Sequence, residues 1–193
     1  MSVFALARRS VLAAALALAA GAAFAAAPAP NLTAPEPGDM AMGSAHARVT
    51  VIEYASVGCP HCAAWHAAVF PAFKKRFIDT GRVRFVVREM TTGDATVATA
   101  GFMLARCAGP HRYFEVTDAV YGHLAEMFQP GKTPAAILGD IAKSVGMSDA
   151  AFKACLYDQK GLDALNARVK RHLDVDKIDS TPTFIVGDKK LVG

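Results

Sequence analysis

Two cysteines three residues apart, Cys59 and Cys62, stand where an apolar strand pattern gives way to a helical one. Before them runs Val49-Thr50-Val51-Ile52-Glu53-Tyr54-Ala55, and after them Ala63-Ala64-Trp65-His66-Ala67-Ala68-Val69-Phe70. A strand feeding a helix through Gly58 places Cys59 at the helix N-terminus. Unpaired backbone N–H groups and the positive end of the helix dipole favour an anion there, and the anion available is a thiolate. Cys62 follows by about one turn, so its sulfur is placed to close a short disulfide onto Cys59. Pro60 suits the first helical position, where a missing N–H costs nothing. Such a spacing closes too small a loop for much entropic stabilisation. Zinc would need a second ligand pair, and Cys107 and Cys155 lie far away in unlike contexts. The residues therefore point to a redox pair, with Cys59 as nucleophile and Cys62 as the buried resolving thiol.

The compartment follows from the N-terminus. Arg8-Arg9 precede the alanine- and leucine-rich run Val11 to Ala25, and Ala23-Phe24-Ala25 supplies a small-residue cleavage pattern. This reads as an export peptide over residues 1–27, cut near Ala25 or Ala27. The run is short for a membrane span, and an uncleaved anchor is the alternative to cleavage. The arginine pair is only a weak sign of twin-arginine export. Cleavage removes two arginines and no acid, so the net charge falls from +4 to about +2. A near-neutral chain offers no reason to propose a nucleic-acid partner. In an exported protein, four cysteines are read as disulfides or redox thiols before metal ligands.

At 193 residues the chain fits one domain, or a domain with an insertion. Residues 28–42 are rich in Pro, Ala and Gly and are expected to form a flexible leader with a short edge strand near Asp39 to Met42. Val49 to Ala55 reads as a buried strand whose one charge, Glu53, either points to solvent or serves a purpose inside. Pro60 to Ile78 reads as a helix kinked by Pro71, with Val69, Phe70, Phe73 and Phe77 on its apolar face. Val83 to Arg88 is the next strand, and the short connection implies a parallel crossover pair. From about Asp94 to Val175 helix follows helix: Ala95–Ala108, His111–Phe128, a third capped by Thr133, a fourth capped by Ser148, and a last from Gly161. Thr181 to Val186 and Lys189 to Val192 then form a hairpin around Gly187-Asp188.

That order of strand, C-P-H-C helix, strand, helical block, Thr181-Pro182-Thr183-Phe184 strand and hairpin resembles the DsbA-like periplasmic thiol:disulfide oxidoreductases. Further local matches are Leu104-Ala105-Arg106-Cys107-Ala108 and Phe152-Lys153-Ala154-Cys155-Leu156. The resemblance spans nearly all of Gly43 to Gly193. It implies an α/β, thioredoxin-like fold over 43–193, interrupted by an all-helical insertion at about 94–175. It further implies catalysis by Cys59, Pro60, His61 and Cys62. His61 would hydrogen-bond or charge-stabilise the Cys59 thiolate, which makes the disulfide a strong oxidant. By the same resemblance Thr181-Pro182 is a cis bond facing the cysteines, with the Thr181 backbone free to pair with an extended substrate. Glu53 becomes a buried acid that moves protons to and from Cys62, with Arg88 as its charge partner. His66 is expected only to pack or to be solvated. Cys107 and Cys155 become a structural disulfide closing a loop of about 50 residues, worth about 4 kcal/mol in the chain-entropy account.

Two departures stand out. Met90-Thr91-Thr92-Gly93-Asp94 replaces a more apolar, proline-bearing segment at the rim between the two parts. Relatives also run past the final hairpin into a helix that covers one sheet face, whereas this sequence stops at Gly193: either the sequence is incomplete, or that face is partly bare and stability suffers. The reading that follows is a monomeric periplasmic dithiol oxidase without cofactor or metal. Its partners are unfolded exported proteins with free thiols and a membrane partner that reoxidises it. The rivals are an isomerase or reductase of the same fold, and a non-catalytic copper- or zinc-binding chaperone using Cys59, Cys62 and His61.

Overall fold

The computed structural model describes residues 31–193. The export peptide and its cleavage site near Ala25 or Ala27 lie outside the described residues. One five-stranded sheet carries the fold: β1 (Met40–Met42), β2 (Val49–Ala55), β3 (Val83–Glu89), β4 (Thr183–Val186) and β5 (Lys189–Val192), in the spatial order β1-β3-β2-β4-β5. Only β2 and β3 pair in parallel. A parallel pair needs a crossover, and the segment after Cys59 supplies it as α1 (Pro60–Ala68), α2 (Phe70–Phe73) and a π-helical turn (Lys74–Ile78). The break at Val69 precedes Pro71, whose ring and missing N–H cannot continue the helix without distortion.

Five helices then separate β3 from β4: α3 (Ala95–Cys107), α4 (Tyr113–His123), α5 (Pro134–Ser144), α6 (Asp149–Leu156) and α7 (Gln159–Asp174). Asp94, Thr133 and Ser148 cap α3, α5 and α6 through side-chain oxygens that accept from Val97, Ala136 and Ala151 N–H. The stretch expected as one helix from His111 to Phe128 divides. α4 ends at His123 and a single 3₁₀ turn covers Glu126–Phe128. Cys107 and Cys155 are disulfide-bonded, with Cα atoms 6.1 Å apart, and join the end of α3 to α6.

Strand parity decides what each face holds. Val51, Glu53 and Ala55 pair with Phe85, Val87 and Glu89 and face the larger core, shared with α1 and the helical block. Ile52 and Tyr54 pair with Val86 and Arg88 on the opposite face, in a small cluster with Met90, Ile178 and Ile185. Arg88 is therefore not the partner of Glu53, as the sequence suggests; adjacent positions on a pleated strand point to opposite faces. It clamps the chain before β1 instead. Its guanidinium donates to Asp39 at 3.0 Å, to the Leu32 and Ala34 carbonyls at 2.9 and 2.7 Å, and to the Tyr54 hydroxyl at 2.8 Å. Glu36 lies 2.9 Å away and also pairs with Arg171. From Leu32 to Asp39, then, the proline-containing segment expected to be a flexible leader is held against the sheet.

The helical block is tied to the sheet by a second buried charge. Glu89 accepts from Arg106 of α3 at 2.7 Å, Arg168 of α7 at 2.8 Å and the Tyr113 hydroxyl at 3.0 Å. Beside the terminal hairpin the sheet opens on an apolar groove of about 950 Å³, lined by Val51, Trp65, Phe73, Phe77, Phe184 and Leu191 among others. Among the described residues no helix is long and apolar enough to cross a membrane.

Arg88 generates a stability prediction. Arg88→Met leaves a buried set of acceptors without their donor, and urea unfolding of the oxidised protein should show a loss of about 3–5 kcal/mol. A loss below about 1 kcal/mol would mean that solvent takes the place of the guanidinium.

Candidate active site

β2 ends at Ala55, and Ser56 to Gly58 turn the chain into α1. The Cys59 N–H donates to the Ser56 carbonyl at 3.1 Å, which closes that turn. Cys59 occupies the helix N-cap with extended backbone dihedrals, and Pro60 takes the first helical position. The N-terminal placement expected from the sequence is what the chain adopts. Cys59 and Cys62 are free thiols here. Their environments differ: Cys59 keeps 6% of its surface exposed, Cys62 none. Only Cys59 is open to a partner's sulfur.

The two thiols are also driven apart in acidity. Burial raises the Cys59 thiol, but hydrogen bonds from the Thr181 side chain and from the Cys62 and His61 backbone N–H groups outweigh it, so the thiol lies below its ordinary value. Burial raises the Cys62 thiol strongly, and the charges of Glu53 and Cys59 add to that, against a weaker opposing bond from the Ser56 backbone. A thiolate is thus favoured at the first sulfur and disfavoured at the second. His61 is exposed, and among the described residues its imidazole makes no hydrogen bond; its contribution to Cys59 is its backbone N–H.

The opposite wall is the turn before β4. Thr181-Pro182 is a cis peptide bond, and the Thr181 carbonyl lies 3.5 Å from Cys59 Sγ. The Thr181 hydroxyl is hydrogen-bonded to Thr92 Oγ1, and the Thr92 carbonyl accepts from Ser56 Oγ at 2.7 Å. Thr92 therefore bridges the turn that carries Cys59 and the turn that faces it, a role its sequence context does not announce. The approach is close enough to require glycine on both sides. A Cβ at Gly93 would stand 2.1 Å from the Gly58 oxygen, and one at Gly58 would stand 2.2 Å from the Asp94 oxygen. Gly93 in addition has φ +73°, a left-handed conformation.

On β2, Glu53 is fully buried, and its Oε2 is 2.9 Å from His66 Nε2. His66, expected only to pack or to be solvated, is the carboxylate's partner. The sequence carried a usable signal: His66 lies four residues after Cys62, on the same helix face, and Glu53 shares strand parity with Val51 and Ala55. The pairing matters because a buried carboxylate left without a partner is far costlier than a paired one. The structure thus brings together Cys59, Pro60, Cys62, Glu53, Thr181 and Pro182 with the unanticipated His66 and Thr92. Cys107 and Cys155 sit apart, in the helical block.

Comparison with known proteins agrees with this geometry. The sequence family described as Thioredoxin matches residues 35–193. A Rickettsia typhi protein named as a protein-disulfide oxidoreductase is 33% identical over 148 residues, 77% of this chain and 54% of the relative. The chain thus spans about half the length of the curated rickettsial relatives it matches. Disulfide bond formation protein D of Bacillus subtilis is 29% identical over 163 residues, 79% of this chain and 69% of the relative. Among solved structures, alpha-DsbA1 of Wolbachia pipientis superposes with a TM-score of 0.76 at 26% identity, covering 84% of this chain and 86% of that one. A thioredoxin-like sheet, a helical block set between β3 and β4, and a C-P-H-C helix facing Thr181-Pro182 place this chain in the thioredoxin family, in its DsbA-like group.

Proposed function

We propose that the protein is a dithiol oxidase that introduces disulfides into exported proteins in the periplasm. The observation that carries this reading is the asymmetry of the two sulfurs: Cys59 is reachable and favoured as thiolate, whereas Cys62 is enclosed and favoured as thiol. In the oxidised enzyme a client thiolate attacks Cys59 Sγ. The Cys59–Cys62 bond breaks, and Cys62 leaves with the electron pair and takes up a proton. A second client thiolate then attacks the client sulfur of the mixed disulfide, and Cys59 departs as a thiolate. The client has lost two electrons and the enzyme has gained them; a membrane partner accepts them to restore the disulfide.

Stabilising the Cys59 thiolate favours the reduced enzyme and makes Cys59 a good leaving group, which together describe an oxidant. Thr181 supplies backbone groups beside Cys59 to which an extended client segment adds as a strand. Pro60 opens the helix at a position that needs no N–H, leaving the His61 and Cys62 N–H groups to donate to the Cys59 sulfur, and Glu53 serves the proton traffic of Cys62. The Cys107–Cys155 disulfide is structural.

A redox titration of the Cys59–Cys62 pair tests the direction. A potential well above thioredoxin's about −270 mV is expected; a value at or below it would sink the oxidase reading in favour of a reductase. Refolding of a scrambled substrate separates an isomerase, which would restore native pairings without added oxidant.

The acidity difference makes a pH prediction for the reduced protein. Folding lowers the Cys59 thiol, so below the ordinary thiol value of about 8.5 the unfolded chain binds more protons and stability rises with pH, from the folded Cys59 value upward. Folding raises Cys62, so above about 8.5 the sign reverses and stability falls. Urea midpoints of the reduced protein should pass through a maximum that the oxidised protein lacks, and thiolate absorbance in Cys62→Ala should persist below pH ~8.5. Identical pH profiles for the two redox forms would contradict this account.

A further inference from the structure

Every cycle of such chemistry puts a proton onto Cys62 or takes one off, yet Cys62 has no exposed surface. Glu53, the acid whose charge acts on it, is equally enclosed, so neither group reaches bulk water by itself. The structure extends beyond them. Glu53 Oε2 meets His66 Nε2 at 2.9 Å, and His66 Nδ1 faces Asp118 Oδ1 at 3.7 Å. Glu53 Oε1 and His66 Nδ1 are buried and make no hydrogen bond, one on the inner and one on the outer side of the pair. Asp118 is half exposed, and a cleft of about 260 Å³ between α1 and α4 is lined by His66, Asp118, Tyr121 and Pro71 among others. The imidazole is held in place by stacking on Tyr121, with ring centroids 4.2 Å apart, and by Phe70 at 4.7 Å.

We infer that Glu53, His66 and Asp118 form a proton path between the buried Cys62 sulfur and solvent at the α1–α4 cleft, with His66 as its relay. The path rests on the exchange reading above and adds to it the route the proton takes. When the Cys59–Cys62 bond opens, the Glu53–His66 pair gives one proton to the departing Cys62 thiolate and takes one back from the cleft. When the bond re-forms, Cys62 attacks Cys59 of a mixed disulfide, the foreign sulfur leaves with the electron pair, and the Cys62 proton passes to the pair and out. His66 touches neither sulfur in this scheme; it acts through Glu53. The charged and titratable groups that face it are Glu53 on β2, Cys62 on its own helix, and Asp118 and Tyr121 on α4. Lys74 bears on Asp118 from beyond α2. Asp118 is raised by burial and by Glu53, with the His66 charge opposing, which suits a group that both accepts and releases a proton at the mouth.

Reaction of the reduced full chain with 5,5′-dithiobis(2-nitrobenzoate) separates the steps. Attack by Cys59 releases one nitrothiobenzoate, and attack by Cys62 on the resulting mixed disulfide releases a second together with a proton. In His66→Gln, which keeps a hydrogen bond to Glu53 but does not titrate, the first burst should stay within about two-fold. The second should slow by about ten-fold or more near neutral pH and change its pH profile. In His66→Ala, added imidazole should restore the second burst through the cleft. Asp118→Asn should slow it by a smaller factor, about two- to three-fold. An unchanged second burst and pH profile in His66→Gln overturns the path, as does equal slowing of both bursts, which marks a packing role alone. Should His66→Gln fail to fold, an unchanged second burst in Asp118→Asn overturns it. Release of a single nitrothiobenzoate by the unaltered protein would instead defeat the Cys59–Cys62 redox reading, a separate result.

Discussion

A carboxylate in the middle of a sheet, with no surface left to water, must be answered by a group that is itself buried and aimed at it. Glu53 sets that condition at the centre of this molecule. Strand parity turns it towards α1, and α1 answers with His66, one turn beyond Cys62. The enclosed Cys62 sulfur thereby shares its helix face with the imidazole that holds Glu53. Remove either member and the other is left buried without its partner. The helix cannot rotate or slide without breaking this pair, so the contact also fixes where Cys59 stands.

Around that anchor the fold separates two duties. The face of the sheet towards α1 carries reactive groups, and the opposite face carries the Arg88 clamp that holds the chain from Leu32 to Asp39. Glu89, at the end of β3, receives arginines from α3 and α7 and so sets the helical block against the sheet. Each buried acid in the sheet is met by cations or an imidazole from a different part of the chain. These long-range pairs orient the parts relative to one another, and the apolar core then fills the space they define.

Much of this was legible in the chain itself. The alternation of strand and helix patterns, the turn-formers between them and the C-P-H-C spacing are local signals that mark the elements, and the DsbA-like resemblance those motifs carry supplies the architecture. Thr133 and Ser148 announced their helices by cap chemistry alone. What escaped was set by parity and distance. Arg88 looked like a partner for Glu53 because both are charges on adjacent strands, but the register pairs Glu53 with Val87, and Arg88 turns the other way. A histidine on an apolar helix face ordinarily packs; only the coincidence with an inward Glu53 gives His66 a task. Thr92 is unreadable without the fold, since its partner Thr181 is 89 residues away.

The bare backbone contact between Gly58 and Gly93 carries one more consequence. With no side chain between them, the turn ahead of Cys59 and the rim ahead of α3 touch as two hard surfaces, further joined by the hydrogen bond from Asp94 N–H to the Gly58 carbonyl at 2.9 Å. Nothing compressible lies in that seam to absorb a displacement. Any displacement of the turn that carries Cys59 is therefore handed directly to the rim that opens α3, and a displacement of that rim is handed back to the turn.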